Sequence, residues 1–352
     1  MTAALQSRGA KSRRFLGEGV PEPLLLQATD ETVGVSAGTA AVIGLRRIRQ
    51  TDPPTTAYLM VGERCARDCT FCTQARNSTS RTRFLSRVAW PLYSAQDALP
   101  AIAHGFAEQK IVRCCLQVTT APNHVQRTLS LVQQLRCHST IPVCVSIAVE
   151  SLAEVVNLLA LGADRVTLAL DAANERVYRE AKGPGWQARL QLLRNAAERF
   201  PGRIGTHLIA GLGETEQEMA LILQELQDRG ITVGLFSFTP VPGVAWGDRT
   251  APELPSYRRI QVARYLLAMG TCRAQDWSFS SAGRIVSYGL SQDRLRSLLL
   301  DGIAFQTAGC SGCNRPYYNE HPGKEPYNYP RPLSAQEAQL ALASAMADLV
   351  FA

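Results

Sequence analysis

From residue 57 onward, short runs rich in β-branched and other apolar residues alternate with longer amphipathic stretches. That alternation is the pattern of strands lying parallel in one sheet with helices packed over it. It predicts strands near 57–61 (AYLMV), 111–119 (IVRCCLQVT), 142–148 (PVCVSIA), 164–170 (DRVTLAL), 203–210 (RIGTHLIA) and 231–238 (ITVGLFSF). Helices are expected between them near 95–108, 124–137, 151–161, 186–199 and 214–229, which makes six β/α units. Helical patterns near 256–269, 292–300 and 334–350, short pieces near 275–289 and the apolar run GIAFQT supply material for two more units. The expected fold is therefore α/β, a complete or near-complete (β/α)8 TIM-like barrel over 57–305 with its functional residues where strands end. Residues 1–56 read as an N-terminal extension joined through RQTDPPTT, and 306–352 as a C-terminal cysteine loop followed by a terminal helix.

A chain of 352 residues, 46% hydrophobic and 19% charged, can bury a core of that size. No apolar run approaches the roughly 20 residues that span a bilayer. The basic start MTAALQSRGAKSRRF lacks the apolar segment of a secretion signal, so the expected location is cytoplasmic, with no membrane partner. The net charge of +7 is spread along the chain, clustered only at KSRR and LRRIRQ. No nucleic-acid-binding arm is expected from it, but a diffuse positive surface suits an acidic protein partner.

Ten cysteines at scattered spacings, without a secretion signal, argue for reduced thiols serving as metal ligands and against a disulfide framework. The densest group is GERCARDCTFCTQA, with Cys65, Cys69 and Cys72 in a CxxxCxxC spacing just past the first expected strand. Thiolates in a short loop hold zinc or an iron–sulfur cluster. Structural zinc takes four protein ligands, so three leave either a distant residue to close the site or one position open for a small molecule.

With Phe71 before its last cysteine, this loop resembles the radical S-adenosylmethionine (SAM) superfamily, in which it binds a [4Fe-4S] cluster with one open iron. The resemblance implies that SAM chelates that iron, that an electron from the cluster breaks the sulfonium C–S bond, and that a 5'-deoxyadenosyl radical then removes hydrogen from an unactivated C–H bond. It also implies a cofactor-binding role for Phe71. In HLIAGLGETEQE it places Ile209, Gly211 and Gly213 as a turn against adenine, with Glu214 opening the next helix. Asp171, in TLALDAANE, matches a ribose-binding aspartate; a strand-end or N-cap carboxylate is the alternative. The family's GGE after the second strand is replaced by LQVTTAPN, where Gln117 or Thr119 would take over its contact with the SAM amino group.

Three further stretches, CTQARNSTS, RRIQVARYLLA and SFSSAGR, resemble the biotin synthase and lipoyl synthase branch over about residues 57 to 315. Those enzymes insert sulfur and sacrifice a second cluster as its donor. Of the biotin synthase donor site, Cys115 and Cys144 are present, but Gly205 and Phe279 stand where a third cysteine and an arginine belong. The N-terminal donor motif of single-chain lipoyl synthases is absent. TAGCSGCNRPYYNE instead offers Cys310 and Cys313 as ligands of an auxiliary iron–sulfur cluster, with half a zinc site as the plainer reading. Cys114 or Cys115, Cys144 or Ser281 would complete it, whereas Cys137 and Cys272 read as structural.

The combination resembles the two-protein lipoyl synthases. It implies a sulfurtransferase acting on a protein-bound octanoyl chain of an acidic lipoyl-carrier domain, with a second radical SAM subunit and an electron donor such as ferredoxin or flavodoxin. Cys310 and Cys313 would then be catalytic, and Arg315, Tyr317 and Tyr318 rim candidates. Two alternatives stand beside it: a biotin synthase-like enzyme working on a free small molecule, and a non-catalytic zinc or iron–sulfur scaffold.

Overall fold

A computed structural model describes residues 31–320 and 323–351, so the KSRR cluster and most of the expected extension lie outside the described residues. The main sheet joins eight strands and stays open. Its parallel part is β2 (Thr56–Val61), β6 (Arg113–Val118), β7 (Val143–Ser146), β8 (Arg165–Thr167), β9 (Ile204–Ala210) and β10 (Thr232–Ser237), each hydrogen-bonded to the next. On the other side of β2 lie β1 (Thr32–Val35) and then β5 (Leu92–Ser94), both antiparallel. β1 comes from the stretch expected to be an extension; it pairs Gly34 with Met60 and Val35 with Leu59 and so covers what would be a bare edge. A short hairpin of β3 (Phe84–Leu85) and β4 (Val88–Ala89) precedes β5.

The eightfold barrel expected from the sequence does not form, because the two segments thought to supply its last strands do other things. The 275–289 region makes a separate hairpin of β11 (Ser278–Phe279) and β12 (Ile285–Ser287). GIAFQT starts on Gly302 at φ 70° and turns into one 3-10 turn, Ile303–Phe305, whose Ala304 and Phe305 are buried. A continuous apolar run can be buried either way, and length alone did not separate strand from turn here.

Helices α2 (Ala95–Ala107), α3 (His124–His138), α4 (Leu152–Ala160), α6 (Trp186–Arg199), α7 (Glu216–Asp228), α8 (Leu254–Ala268), α9 (Gln292–Leu299) and α10 (Ala335–Met346) are joined by two unexpected ones, α1 (Ala37–Val42) and α5 (Glu175–Lys182). α5 is short and charged, with Val177, Tyr178 and Ala181 as its buried residues, too few for a periodic signal. Ser151, Thr215 and Ser334 open α4, α7 and α10 with reciprocal capping boxes to Glu154, Glu218 and Glu337. Among the described residues no helix is long and apolar enough to cross a membrane.

Strand alternation sorts the two faces of the sheet. Ala57, Leu59, Val61, Cys114 and Leu116 join the core shared with the helices, whereas Tyr58, Met60 and Cys115 form a separate inner cluster with Trp90. Into that inner side folds the loop 306–319. Thr55 and Thr56 donate through their hydroxyls to Gly312 O at 2.7 and 3.2 Å, and Arg113 donates to Ser311 O at 2.7 Å. Farther along, Asn319 donates to Ser237 O at 3.0 Å and Thr239 Oγ1 at 2.8 Å. The loop thus spans from β2 and β6 to β10 and fills the side that two further strands would have closed. Gly312 is required in it: φ is +75°, and a Cβ would lie 2.4 Å from Val112 Cγ2.

Where α7 meets α8, the buried Glu216 carboxylate takes Arg259 in a two-pronged ion pair (2.7 and 2.9 Å), the Ser256 hydroxyl at 2.7 Å and the Ile285 amide at 2.8 Å. Both charged side chains are under a tenth exposed. Arg259→Ala strands a buried carboxylate, and the unfolding free energy should drop by about 3–5 kcal/mol. Urea denaturation followed by circular dichroism measures it.

Candidate functional site

The cysteine loop begins as soon as β2 ends, and its own backbone folds it: Cys65 N donates to Gln74 O at 2.8 Å and Cys72 N to Cys69 O at 3.1 Å. Arg64 pins it from behind, donating to Thr73 O, Ala75 O and Ser80 O. The Cys65 sulfur accepts two backbone amides, Thr120 N at 3.3 Å and Arg67 N at 3.4 Å. Burial pushes the Cys69 thiol up to about 11 and Cys72 to about 12, so without a cation both stay protonated. A metal bound by these sulfurs would supply the missing positive charge.

All three cysteines line one cavity of about 190 Å³ together with Phe71. Among the described residues no three His, Cys, Asp or Glu side chains are gathered tightly enough to hold a single metal ion. An iron–sulfur cluster stands between its ligands and holds their sulfurs farther apart than one ion does. Three converging thiols with amide donors on one of them suit such a cluster.

A second cavity of about 150 Å³ shares Phe71, Cys72, Gln117, Asp171 and His207 with the first. Its other walls are largely apolar, with Ile209, Phe236, Phe238 and Tyr318. Of the three residues expected to form the adenine turn, Ile209 lines this space and Gly211 and Gly213 do not. The turn folds instead onto Glu214, whose carboxylate accepts Gly211 N at 2.6 Å and Leu212 N at 3.0 Å. Gly211 (φ +95°) also packs so near Pro252 that a Cβ would fall 2.8 Å from its Cδ.

Asp171 sits at φ 67° after β8 and faces the shared space, but its carboxylate is already paired with Lys182 Nζ at 2.6 Å. Burial alone would lower the Lys182 pKa; Asp171 and Cys69 outweigh it and raise the pKa, so a cation stands beside the cysteine loop. Sequence reasoning missed Lys182. It lies at the end of the unpredicted α5, eleven residues past Asp171, and no motif marks it. His207 was also missed: burial holds its imidazole down to about 4, with its ring edge-on to Phe236 at 5.1 Å.

Gln117 lines both cavities while its amide nitrogen lies 3.0 Å from Cys115 Sγ, two residues deeper along β6. Thr119 bonds to Val61 O through both amide and hydroxyl, which occupies it at the end of β2. In the layer of Cys115, the sheet register sets Tyr58, Cys115 and Cys144 side by side. Cys310 Sγ reaches Cys144 Sγ at 3.8 Å, and Cys313 Sγ lies 3.3 Å from the Tyr58 hydroxyl. Cys115 and Cys313 both pack on the inner cluster of Tyr58, Met60 and Trp90. Cys144 and Cys310 thus touch, and Cys115 and Cys313 flank Tyr58, which gathers four cysteines from β6, β7 and the C-terminal loop on the inner side of the sheet.

The structure also decides among the alternatives for that group. Cys114 points the other way, into the core against the helices, and Ser281 is exposed at the β11–β12 turn. Cys137 is exposed, and Cys272 accepts the Trp277 indole at 3.2 Å. Of the expected rim residues, Tyr317 is 43% exposed, while Arg315 turns inward against Phe236 and Tyr318 lines the second cavity.

Residues 59–226 match the radical SAM superfamily and form a radical SAM superfamily domain. No curated protein matches the chain. Among solved structures, the chain is similar to the FeFe-hydrogenase maturase HydG from Carboxydothermus hydrogenoformans at 20% identity, over 61% of this chain and 51% of that one, with a TM-score of 0.48. For methylornithine synthase (PylB) the values are 15% identity, 66% and 65% coverage and a TM-score of 0.49. The radical SAM enzyme coproporphyrinogen III oxidase (HemN) from Escherichia coli shows 18% identity, 62% and 53% coverage and a TM-score of 0.38. The chain thus spans about half the length of the maturase.

His207 makes this site acid-sensitive. Its folded pKa of about 4 lies below the ordinary value of 6.5, so between those values the unfolded chain binds the extra proton. Stability should fall as pH drops from about 6.5 toward 4, and His207→Gln should flatten that part of the profile when denaturation midpoints are compared at pH 7 and pH 5.

Proposed function

We propose that this radical SAM domain serves a sulfurtransferase that inserts sulfur at unactivated C–H bonds of an octanoyl chain carried on a lipoyl-carrier protein. The observation that supports the reading is the meeting of Cys115, Cys144, Cys310 and Cys313 directly beneath the cavity of the cysteine loop, with Gln117 touching both. When bound, a [4Fe-4S] cluster and SAM supply a carbon-centred radical able to take hydrogen from an unactivated C–H bond.

This chain's own residues have separable tasks in that reading. Cys65, Cys69 and Cys72 hold the first cluster, and the four deeper cysteines hold an auxiliary iron–sulfur cluster as the sulfur source. Phe71, Ile209, Phe236, Phe238 and Tyr318 offer an apolar slot between the two levels. An alkyl chain gains about 0.8 kcal/mol for each methylene buried in such a slot, and water is kept from the reacting carbon. The Asp171–Lys182 pair and Gln117 are the polar groups that would orient a bound cofactor. A net charge of +7 suits docking of an acidic carrier domain, and a second radical SAM subunit and a ferredoxin- or flavodoxin-type electron donor complete the proposed assembly.

Reconstituted protein should contain about two clusters' worth of iron. Cys310→Ala should keep 5'-deoxyadenosine formation from SAM and lose sulfur insertion, read as the mass of an octanoyl-lysine peptide after incubation with SAM and reductant. Normal insertion by that variant would remove Cys310 from the donor site. Activity on a free small molecule, with none on octanoylated protein, would replace the substrate.

A further inference from the structure

The four deeper cysteines are not equivalent, and the hydrogen bonds around Tyr58 show why. Tyr58 is 4% exposed, in the middle of β2, and its backbone is fixed on both sides: its amide donates to Thr39 Oγ1 at 3.0 Å, and its carbonyl accepts Ser36 N at 3.0 Å. Its ring is therefore held in the layer of Cys115. The hydroxyl has two partners, Arg315 N at 2.9 Å and Cys313 Sγ at 3.3 Å. A backbone N–H can only donate, so the hydroxyl oxygen accepts from Arg315 and its single proton must go elsewhere. Among the described residues its other recorded partner is the Cys313 sulfur. Arg315 cannot drift from this arrangement, since its guanidinium donates to Ala308 O at 2.6 Å and Leu235 O at 3.3 Å and lies 3.8 Å from the Phe236 ring centre.

Resting on the reading of Cys313 as an auxiliary-cluster ligand, we infer that Tyr58 is a positioning residue that donates its hydroxyl proton to the Cys313 sulfur and thereby sets the reduction potential of the auxiliary cluster. A hydrogen bond to a ligating sulfur withdraws electron density from the iron and makes the cluster easier to reduce. The geometry gives this donor to Cys313, while Cys310 faces the sulfur of Cys144. Gln117 gives Cys115 an amide donor from the cavity side, so the potential is set from two directions by residues that are not ligands.

The test is a reductive titration of the reconstituted full-length protein, followed by electron paramagnetic resonance, for the wild type, Tyr58→Phe and a protein carrying 3-fluorotyrosine at position 58. The Phe side chain keeps the ring that packs on Met60 and Trp90 but removes both the donor to Cys313 and the acceptor of Arg315 N, so the fluorotyrosine protein, which keeps both contacts, isolates the donor strength. The second cluster's midpoint potential should move negative in Tyr58→Phe and positive with the more acidic fluorophenol, at unchanged iron content and unchanged SAM cleavage. An unchanged potential, or a positive shift in Tyr58→Phe as water entry would cause, overturns the assignment of Tyr58 while leaving the auxiliary cluster in place. Wild-type protein with the iron of one cluster only overturns the auxiliary-cluster reading and this inference together.

Discussion

The contact between the Arg315 segment and Tyr58 ties the C-terminal cysteine loop to the parallel sheet. A sheet of six parallel strands has an open side, and here the loop 306–319 fills it, bonded to Tyr58 and the start of β2 at one end and to β10 at the other. Arg315 does most of this with one residue: its amide meets Tyr58, two carbonyls take its guanidinium, and the Phe236 face lies under it. This guanidinium is held inside by the two carbonyls on one of its nitrogens and by the aromatic face under it, while its Nε is buried without a partner among the described residues. Together with the Thr55, Thr56 and Arg113 bonds to Gly312 and Ser311, that anchor sets Cys310 and Cys313 on the side of the sheet that carries Cys115 and Cys144.

Electrostatics separates the two cysteine groups. At the upper level a lysine stands beside Cys69 and two amides donate to Cys65, though burial still holds the Cys69 and Cys72 thiols above their ordinary range. At the lower level sulfur faces sulfur, burial is deep, and hydrogen bonding with Cys115 together with burial outweighs the opposing Cys310 hydrogen bond and pushes the Cys144 thiol far above its ordinary range. Proximity of several buried thiols is unfavourable for all of them as thiolates unless a cation joins them. The same crowding that makes the group costly without metal makes it a strong ligand set with one.

Much of this was legible in the one-dimensional pattern. Because buried parallel strands must be apolar on both faces, five of the six parallel strands lie within the stretches expected from β-branched runs, and β2 starts one residue earlier, at Thr56. The loop of Cys65, Cys69 and Cys72 was legible because its ligands are neighbours in sequence. Closure of the barrel was misread, since the apolar run at 302–307 carries no period that separates a strand from a buried turn. β1 was missed because its four residues, TVGV, are too few for a pattern. Lys182 and His207 gave no signal at all; each matters only through what is folded against it.

By itself, the sequence determined that the chain is α/β, that a parallel sheet carries the cysteine loop at the end of its first parallel strand, and that more thiols remain than that loop uses. Those are properties of residue type and short spacing. Tertiary structure alone decided that Cys115 and not Cys114 faces inward, that Cys144 meets Cys310 across 166 positions, and that Tyr58 aims its hydroxyl at Cys313. The physical reason is the period of the strand: adjacent residues point to opposite faces, and which face becomes the inside is settled only when the helices and the C-terminal loop have taken their sides.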